Sequence, residues 1–518
     1  PASDDRRPRA GGAALSTTVP HRSRSVPRLL VGTSVRGRAL RLGVLLLLLA
    51  GGAVALGLSP GGEEDAAPPR FLSAPELRAP EVSLTGPTGD EVGRGLLFTA
   101  PKSMAGGPHG PMIVDDAGEL VWFHPLPEGT VAADFRVQRY EGEPVLTWWE
   151  GEVFPAGYGY GEFVVMDRSY REIARVEAGN DLLADLHEFE LTRAGTALIM
   201  AYPMVKRDLS AVGGLEDGTV LGGVVQEVDI ETGAVLFEWR ALDHVGLDES
   251  YKEVPTEPGK FFDYFHANSI DIDRDGNLLV SARHTHAVYK IDRETGRVIW
   301  RLGGKESDFR MGPGTNFLSQ HDARRRPDGT LSIFDNDAPP ETNGESRGIV
   351  LDLDQDDMRA TLEREYLHQN APLARSQGNL QSLPGGNVLI GYGSEPIIAE
   401  FSRDGRLLFD ARLPEGYDTY RAYRLPWTGR PVDPPDVAVE VGDGGEITVY
   451  ASWNGATEVA EWQVLAGPEP DELSVAGSGV RDGFETAIAG ARAPFVAVRA
   501  LDDSGEELAV SEVVEPEG

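Results

Sequence analysis

The chain has 518 residues, 41% hydrophobic and 8% aromatic, enough to bury a large core, and carries a formal net charge of −35. That acidity fits a soluble or salt-adapted surface and argues against nucleic acid as a partner. The absence of cysteine excludes disulfides, thiolate metal sites, a cysteine nucleophile and a lipid-modified cysteine.

Residues 1–60 hold nine Arg against two Asp, and 1–41 read as a basic, disordered leader. The uncharged run LGVLLLLLAGGAVALGL over 42–58 sits at the short edge of what spans a bilayer. Arg28, Arg36, Arg38 and Arg41 precede it, so the positive-inside rule keeps the N-terminus cytoplasmic and exports the rest of the chain. The expectation is a transmembrane anchor; the rival is a secretory signal, because Ala53-Val54-Ala55 resembles a cleavage site, and then the protein is secreted. Residues 59–85, rich in Gly, Pro and acidic side chains, read as a linker.

From 86 to 430 short apolar strands alternate with turn dipeptides, and no long helical period appears. An apolar strand comes after a glycine turn five times: EGEPVLTWW, RAGTALIMA, RDGNLLVSA, PDGTLSIFD and PGGNVLIGY. The turn glycines at 142, 195, 276, 329 and 386 are 53, 81, 53 and 57 residues apart, a spacing that suits four-stranded blades with insertions. Residues 86–126 supply a sixth unit, and strands after Arg412 can pair with it. The predicted architecture is all-β, a six-bladed β-propeller. After PVDPP at 431–435, residues 437–514 read as a fibronectin- or immunoglobulin-like β-sandwich.

His187, Asn268 and His321 each stand eight residues ahead of a turn glycine, at Gly195, Gly276 and Gly329. Strand side chains alternate with period two, so a shared offset predicts a shared face and height. Asp134 and Gly378 occupy the same offset, and His266 shares the face of Asn268. The next strand adds Arg283, His284 and His286, and RSQGN at 375–379 adds Asn379. A lone histidine is most often a surface or satisfied core residue; three in related registers favour a site. Imidazole serves as nucleophile or general acid/base, while Arg and Asn donate to anionic oxygens. The set suits transfer of a sulfuryl or phosphoryl group through a covalent histidine. Metal binding is the competing use, opposed by the lack of a carboxylate in the register beyond Asp134; no metal or cofactor is expected.

FHANSIDIDRDGNLLVSARHTHAVYKIDRETGRVIWRLGG followed by QHDARRRPDGTLSIFDND resembles the arylsulfotransferase family, particularly its second, less characterised branch. The resemblance covers about residues 90–427. It implies an exported six-bladed propeller that moves a sulfuryl group from a phenolic sulfate ester to a phenol by a ping-pong route, without a nucleotide donor. His321 matches the histidine of the family's QH motif, which forms the sulfohistidine. His266 and Asn268 match its HxN pair, Arg283 its arginine on the succeeding strand, and His187 its histidine in an earlier blade. These four would hold the sulfuryl oxygens, with His284, His286 and Asn379 lining the pocket.

DIDRDGN at 271–277 opens like a calcium loop, yet its twelfth position is Ala282, and a hairpin turn is the simpler reading. Trp148, Trp149 and Trp239 suit either blade packing or aryl recognition. Two functions are compatible with these residues: an arylsulfotransferase-like enzyme acting on an aryl sulfate and a phenol, or a membrane-tethered, non-catalytic propeller that binds an anionic or glycan ligand. In the second the C-terminal sandwich docks a protein or glycan partner.

Overall fold

The computed structural model describes residues 71–516 except Thr88, Met104, 339–343 and 443–445. The leader 1–41 and the apolar run 42–58 lie outside the described residues, among which no helix is long and apolar enough to cross a membrane. All described residues belong to one compact unit, Ala66–Gly518.

The fold is all-β, its described helical content being four 3₁₀ turns of three residues each. Six groups of strands succeed one another, antiparallel but for Arg310–Met311 beside Arg359–Leu367, the second and third joined in one eight-stranded sheet and two others widened to five strands. Their innermost strands are Ala422–Leu425, Val131–Tyr140, Ala184–Leu191, Ala267–Ile272, His321–Arg325 and Asn379–Ser382. Each innermost strand neighbours the next, and Ala422–Leu425 returns to Val131–Tyr140, so the six form a closed cycle. The unit with Ala422–Leu425 inside takes its other strands from the start of the chain, pairing Leu97 with Arg424 and with Val114. The two ends of the cycle thereby meet in one sheet, which removes two exposed edges.

Turn chemistry sets the repeat. In three hairpins the glycine N–H donates three residues back, Gly195 to Thr192, Gly276 to Asp273 and Gly329 to Arg326. Gly195 and Gly276 adopt φ of +78° and +84° with open space where a Cβ would stand, so conformation, and not crowding, calls for glycine. The second strands, such as Leu278–Ala282 and Leu331–Asp335, are buried along their whole length. Both faces pack against neighbouring units, and their sequences are therefore nearly continuous apolar runs. The 81-residue spacing after Gly195 accommodates the hairpin of Met204–Arg207 with Gly218–Leu221 and a loop to Phe265.

Residues 71–85, placed in the linker by composition, are packed. Ser83–Leu84 pairs with Leu407–Arg412, Ala79 and Val82 are buried, and Phe71 lies 4.4 Å from Phe484 between ring centroids. After residue 435 a three-stranded and a four-stranded antiparallel sheet enclose one apolar cluster that includes Val449, Trp462, Ile488 and Val498. This region is fastened to the first unit by backbone mimicry: the Asn454 amide accepts from Phe123 N–H and donates to Phe123 O, both at 3.0 Å.

Candidate active site

Four of the expected residues, His187, His266, Arg283 and His321, line one cavity of about 300 Å³. Lys102, Gln377, Asp418 and Tyr420 complete its polar wall, and Val153, Phe154, Pro155 and Leu186 give it an apolar side. The His187 and His266 rings stand 5.0 Å apart between centroids, nearly perpendicular.

The three imidazoles share one arrangement. His187 Nδ1–H donates to Asp185, and His266 Nδ1–H donates to Asp263 Oδ2 at 2.6 Å. His321 Nδ1–H donates to Asn336 Oδ1 at 2.7 Å, a direction set because the Asn336 amide nitrogen itself donates to the Ala374 and Gln377 carbonyls. In each ring Nε2 is left as the nitrogen with a lone pair. His321 Nε2 accepts the Gln377 backbone N–H at 3.2 Å.

The partners differ in charge. A carboxylate stands behind His187 and His266, and a neutral amide behind His321. Burial pushes His321 well below the ordinary histidine range, with the Arg283 charge acting in the same direction and the Asn336 hydrogen bond opposing. Burial also takes His266 down to about 4 against the pull of Asp263. His321 is thus a neutral, oriented base at neutral pH.

Arg283 supplies the charge. Its guanidinium bonds the Arg375 carbonyl at 2.7 Å and His284 Nε2 at 3.3 Å, and Nε is buried without a partner. No carboxylate stands in ion-pair contact with it among the described residues. A half-buried cation beside these imidazoles attracts an anion.

The remaining expected residues do not line the cavity. Asn268 is buried, and its amide donates to the Gln320 carbonyl at 2.6 Å, so it braces the segment before His321. His284 donates from Nδ1 to the Asp263 carbonyl at 2.7 Å, which ties Asp263, His266 and His284 into one hydrogen-bonded cluster. His286 stacks on Tyr251 with centroids 4.2 Å apart. Asn379 exchanges two hydrogen bonds with the Ala422 backbone and clasps the cycle's closing strand. The inner strands are bulged, with register shifts between Ala133 and Arg136, between Ala184 and Phe189, between Ala267 and Ser269, and between His321 and Arg324, so a shared offset fixes height without fixing direction. A bulge re-aims side chains, and it turns Asp134 toward Arg421 at 2.9 Å.

Two other motifs resolve structurally. Lys290 reaches Asp273 at 2.8 Å and Asp275 at 2.6 Å, filling the centre of the DIDRDGN turn with an ammonium. Trp148, Trp149 and Trp239 are buried in the packing between strands, and none lines the cavity.

His266 and His286 are both pushed down to about 4, chiefly by burial. Between the ordinary value near 6.5 and 4 the unfolded chain binds more protons than the folded one. Stability therefore falls as pH drops through that window, by up to about 1.4 kcal/mol per pH unit for each group. Urea midpoints from pH 7 to 4.5 should decline accordingly, and His286→Gln should flatten the decline.

The fold and this cavity define an all-β protein with a buried, cationic imidazole–guanidinium site. Residues 136–413 match the family described as Arylsulfotransferase (ASST), and the chain belongs to that family. No curated protein sequence matches it. Among solved structures it is similar to a protein of unknown function from Bacteroides caccae, at 13% identity over 64% of this chain and 98% of that one, TM-score 0.39. It is also similar to virginiamycin B lyase from Staphylococcus aureus, at 10% identity over 72% and 97%, TM-score 0.33. A protein of unknown function from Dyadobacter fermentans aligns at 13% identity over 76% and 100%, TM-score 0.34.

Proposed function

We propose that the protein transfers a sulfuryl group from a phenolic sulfate ester to a phenol through a sulfohistidine on His321. The observation that carries this is the asymmetry among three imidazoles around one carboxylate-free guanidinium: a neutral, amide-backed ring beside two carboxylate-backed rings. His321 Nε2 attacks sulfur, releasing its contact with Gln377 N–H, and the S–O bond to the phenol breaks. Arg283 holds the sulfuryl oxygens, joined by His187 when its Nε2 carries a proton. The bound anion favours the imidazolium form of His266, which gives its proton to the leaving phenoxide. The second phenol then loses its proton to His266 while its oxygen takes the sulfuryl group from His321. Asn268 acts by bracing Gln320, one residue before the nucleophile. The apolar side of the cavity, with Phe154 and Pro155, receives the aryl ring.

On this reading the six cyclic units are the blades of a six-bladed propeller closed by Ala422–Leu425, and the two sheets after residue 435 are a β-sandwich. The basic leader and apolar run support an extracytoplasmic location, by anchor or by export. Incubation with 4-nitrophenyl sulfate tests the activity: release of 4-nitrophenol that depends on an added phenol supports transfer. Sulfate ester held without turnover would instead make the protein a binder. Arg283→Gln should lower kcat by about 10²–10³, some 2.7–4 kcal/mol, as expected for a donor aimed at transition-state charge. Steady-state kinetics checks it, and an effect confined to KM would contradict that role.

A further inference from the structure

A second cavity, of about 270 Å³, is lined by the inner strands farther along their course, with Arg136, Glu190, Asp271, Arg324, Arg326 and Tyr423 among its residues. Glu190, Asp271 and Arg324 each stand three residues after His187, Asn268 and His321, so the two cavities lie at different heights on the same strands. Between them Arg421, Glu188 and Asp134 are buried and mutually paired.

Most charges at the second cavity are matched. Arg136 meets Glu188 at 2.9 Å and Glu190 at 3.0 Å, and Arg324 meets Asp322 at 2.7 Å. Asp271 accepts the Arg325 backbone N–H at 2.6 Å, and burial pushes it up to about 6 against the Arg324 charge. Arg326 is different. It is only 8% exposed, its Nε and Nη1 are sealed with no hydrogen-bond acceptor, and no carboxylate stands in ion-pair contact with it among the described residues. It comes two positions after Arg324 and lines the same cavity. A desolvated, unpaired guanidinium is unfavourable unless an anion compensates it, and here it borders a cavity large enough for one.

We propose that this second cavity is a binding site for a small tetrahedral oxyanion, sulfate or phosphate, with Arg326 as its principal cationic ligand. Arg324 adds positive field. The site is separate from the imidazole cavity and does not depend on the activity proposed for it.

The test uses the full chain carrying Arg283→Gln, which removes the guanidinium of the first cavity. Its thermal midpoint is monitored through titrations of sodium sulfate and of sodium phosphate, each against sodium chloride at matched ionic strength. The expected result is a saturable rise with at least one oxyanion beyond that with chloride, and an apparent dissociation constant raised at least tenfold by adding Arg326→Gln. A rise no greater than chloride gives, or one unchanged by Arg326→Gln, overturns the proposal. Should Arg326→Gln fail to fold, crystals of the unsubstituted chain soaked in selenate decide: an anomalous peak within hydrogen-bonding distance of Arg326 supports the site. Peaks at Arg283 alone, or none, overturn it.

Discussion

His321→Ala is expected to abolish exchange of sulfate between two phenols, with a loss of at least about 10⁴-fold in kcat, the scale on which covalent catalysis fails when its nucleophile is removed. The fold should survive. The imidazole's hydrogen bonds run to the Ser319 carbonyl, Asn336 and the Gln377 N–H, and the Asn336 amide nitrogen keeps its bonds to Ala374 and Gln377 after the ring is gone. Circular dichroism and the urea midpoint should therefore match the unsubstituted chain. A second readout isolates the covalent step. Mixed with 4-nitrophenyl sulfate and no acceptor, the unsubstituted chain should release one equivalent of 4-nitrophenol in a burst and gain the mass of one sulfuryl group, whereas His321→Ala should do neither. Retained turnover in the variant would end the assignment of His321 as nucleophile, and a burst retained by the variant would move that role to His187 or His266.

Much of this site is legible in the amino-acid sequence alone, for a physical reason. The glycine of each hairpin turn needs a left-handed backbone, so Gly195, Gly276 and Gly329 mark equivalent heights, and counting back from them finds His187 and His321 on the cavity wall. The strands are not regular, so the count fixes height better than direction. Asp134, His266 and Asp322 have φ of +54°, +51° and +56°, and the bulges around them change which face a given offset reaches. Asn268 and Asp134 accordingly turn from the cavity into the packing beneath it. The carboxylates behind two imidazoles carry a local signal, since Asp185 and Asp263 stand two and three residues before His187 and His266. Asn336 carries none: it reaches His321 from beyond the paired strand, and its role emerges only from the pairing of His321 with Phe334. Lys102 comes from a two-residue strand, Lys102–Ser103, and Gln377 and Tyr420 from non-strand segments, where no period exists to count. Arg421 is equally hidden, because its partners Asp134 and Glu188 precede it by 287 and 233 residues.

Arg421 is the residue whose loss should cost the most stability. Its guanidinium is fully buried and bonds Asp134 at 2.9 Å, Glu188 at 3.2 Å and the Asn268 carbonyl at 2.8 Å, with its charge over the Tyr420 ring. Burial acts to raise Glu188, yet Arg324, Arg421 and Arg136 together hold it down at about 2. Arg421→Met keeps most of the side-chain volume and removes the cation, leaving Asp134 and Glu188 undercompensated where water cannot reach them. Removing one partner of such a buried network costs about 3–5 kcal/mol. Because Arg421 immediately precedes the closing strand Ala422–Leu425, the loss falls on the seam where the two ends of the cycle meet. The urea midpoint should drop by a corresponding amount. The double substitution Arg421→Met with Glu188→Gln should recover part of it, since a neutral amide is cheaper to bury than an unpaired carboxylate. A single variant as stable as the unsubstituted chain would mean that Arg136 and Arg324 alone satisfy both acids. The buried network would then be a matter of strand register and not of stability.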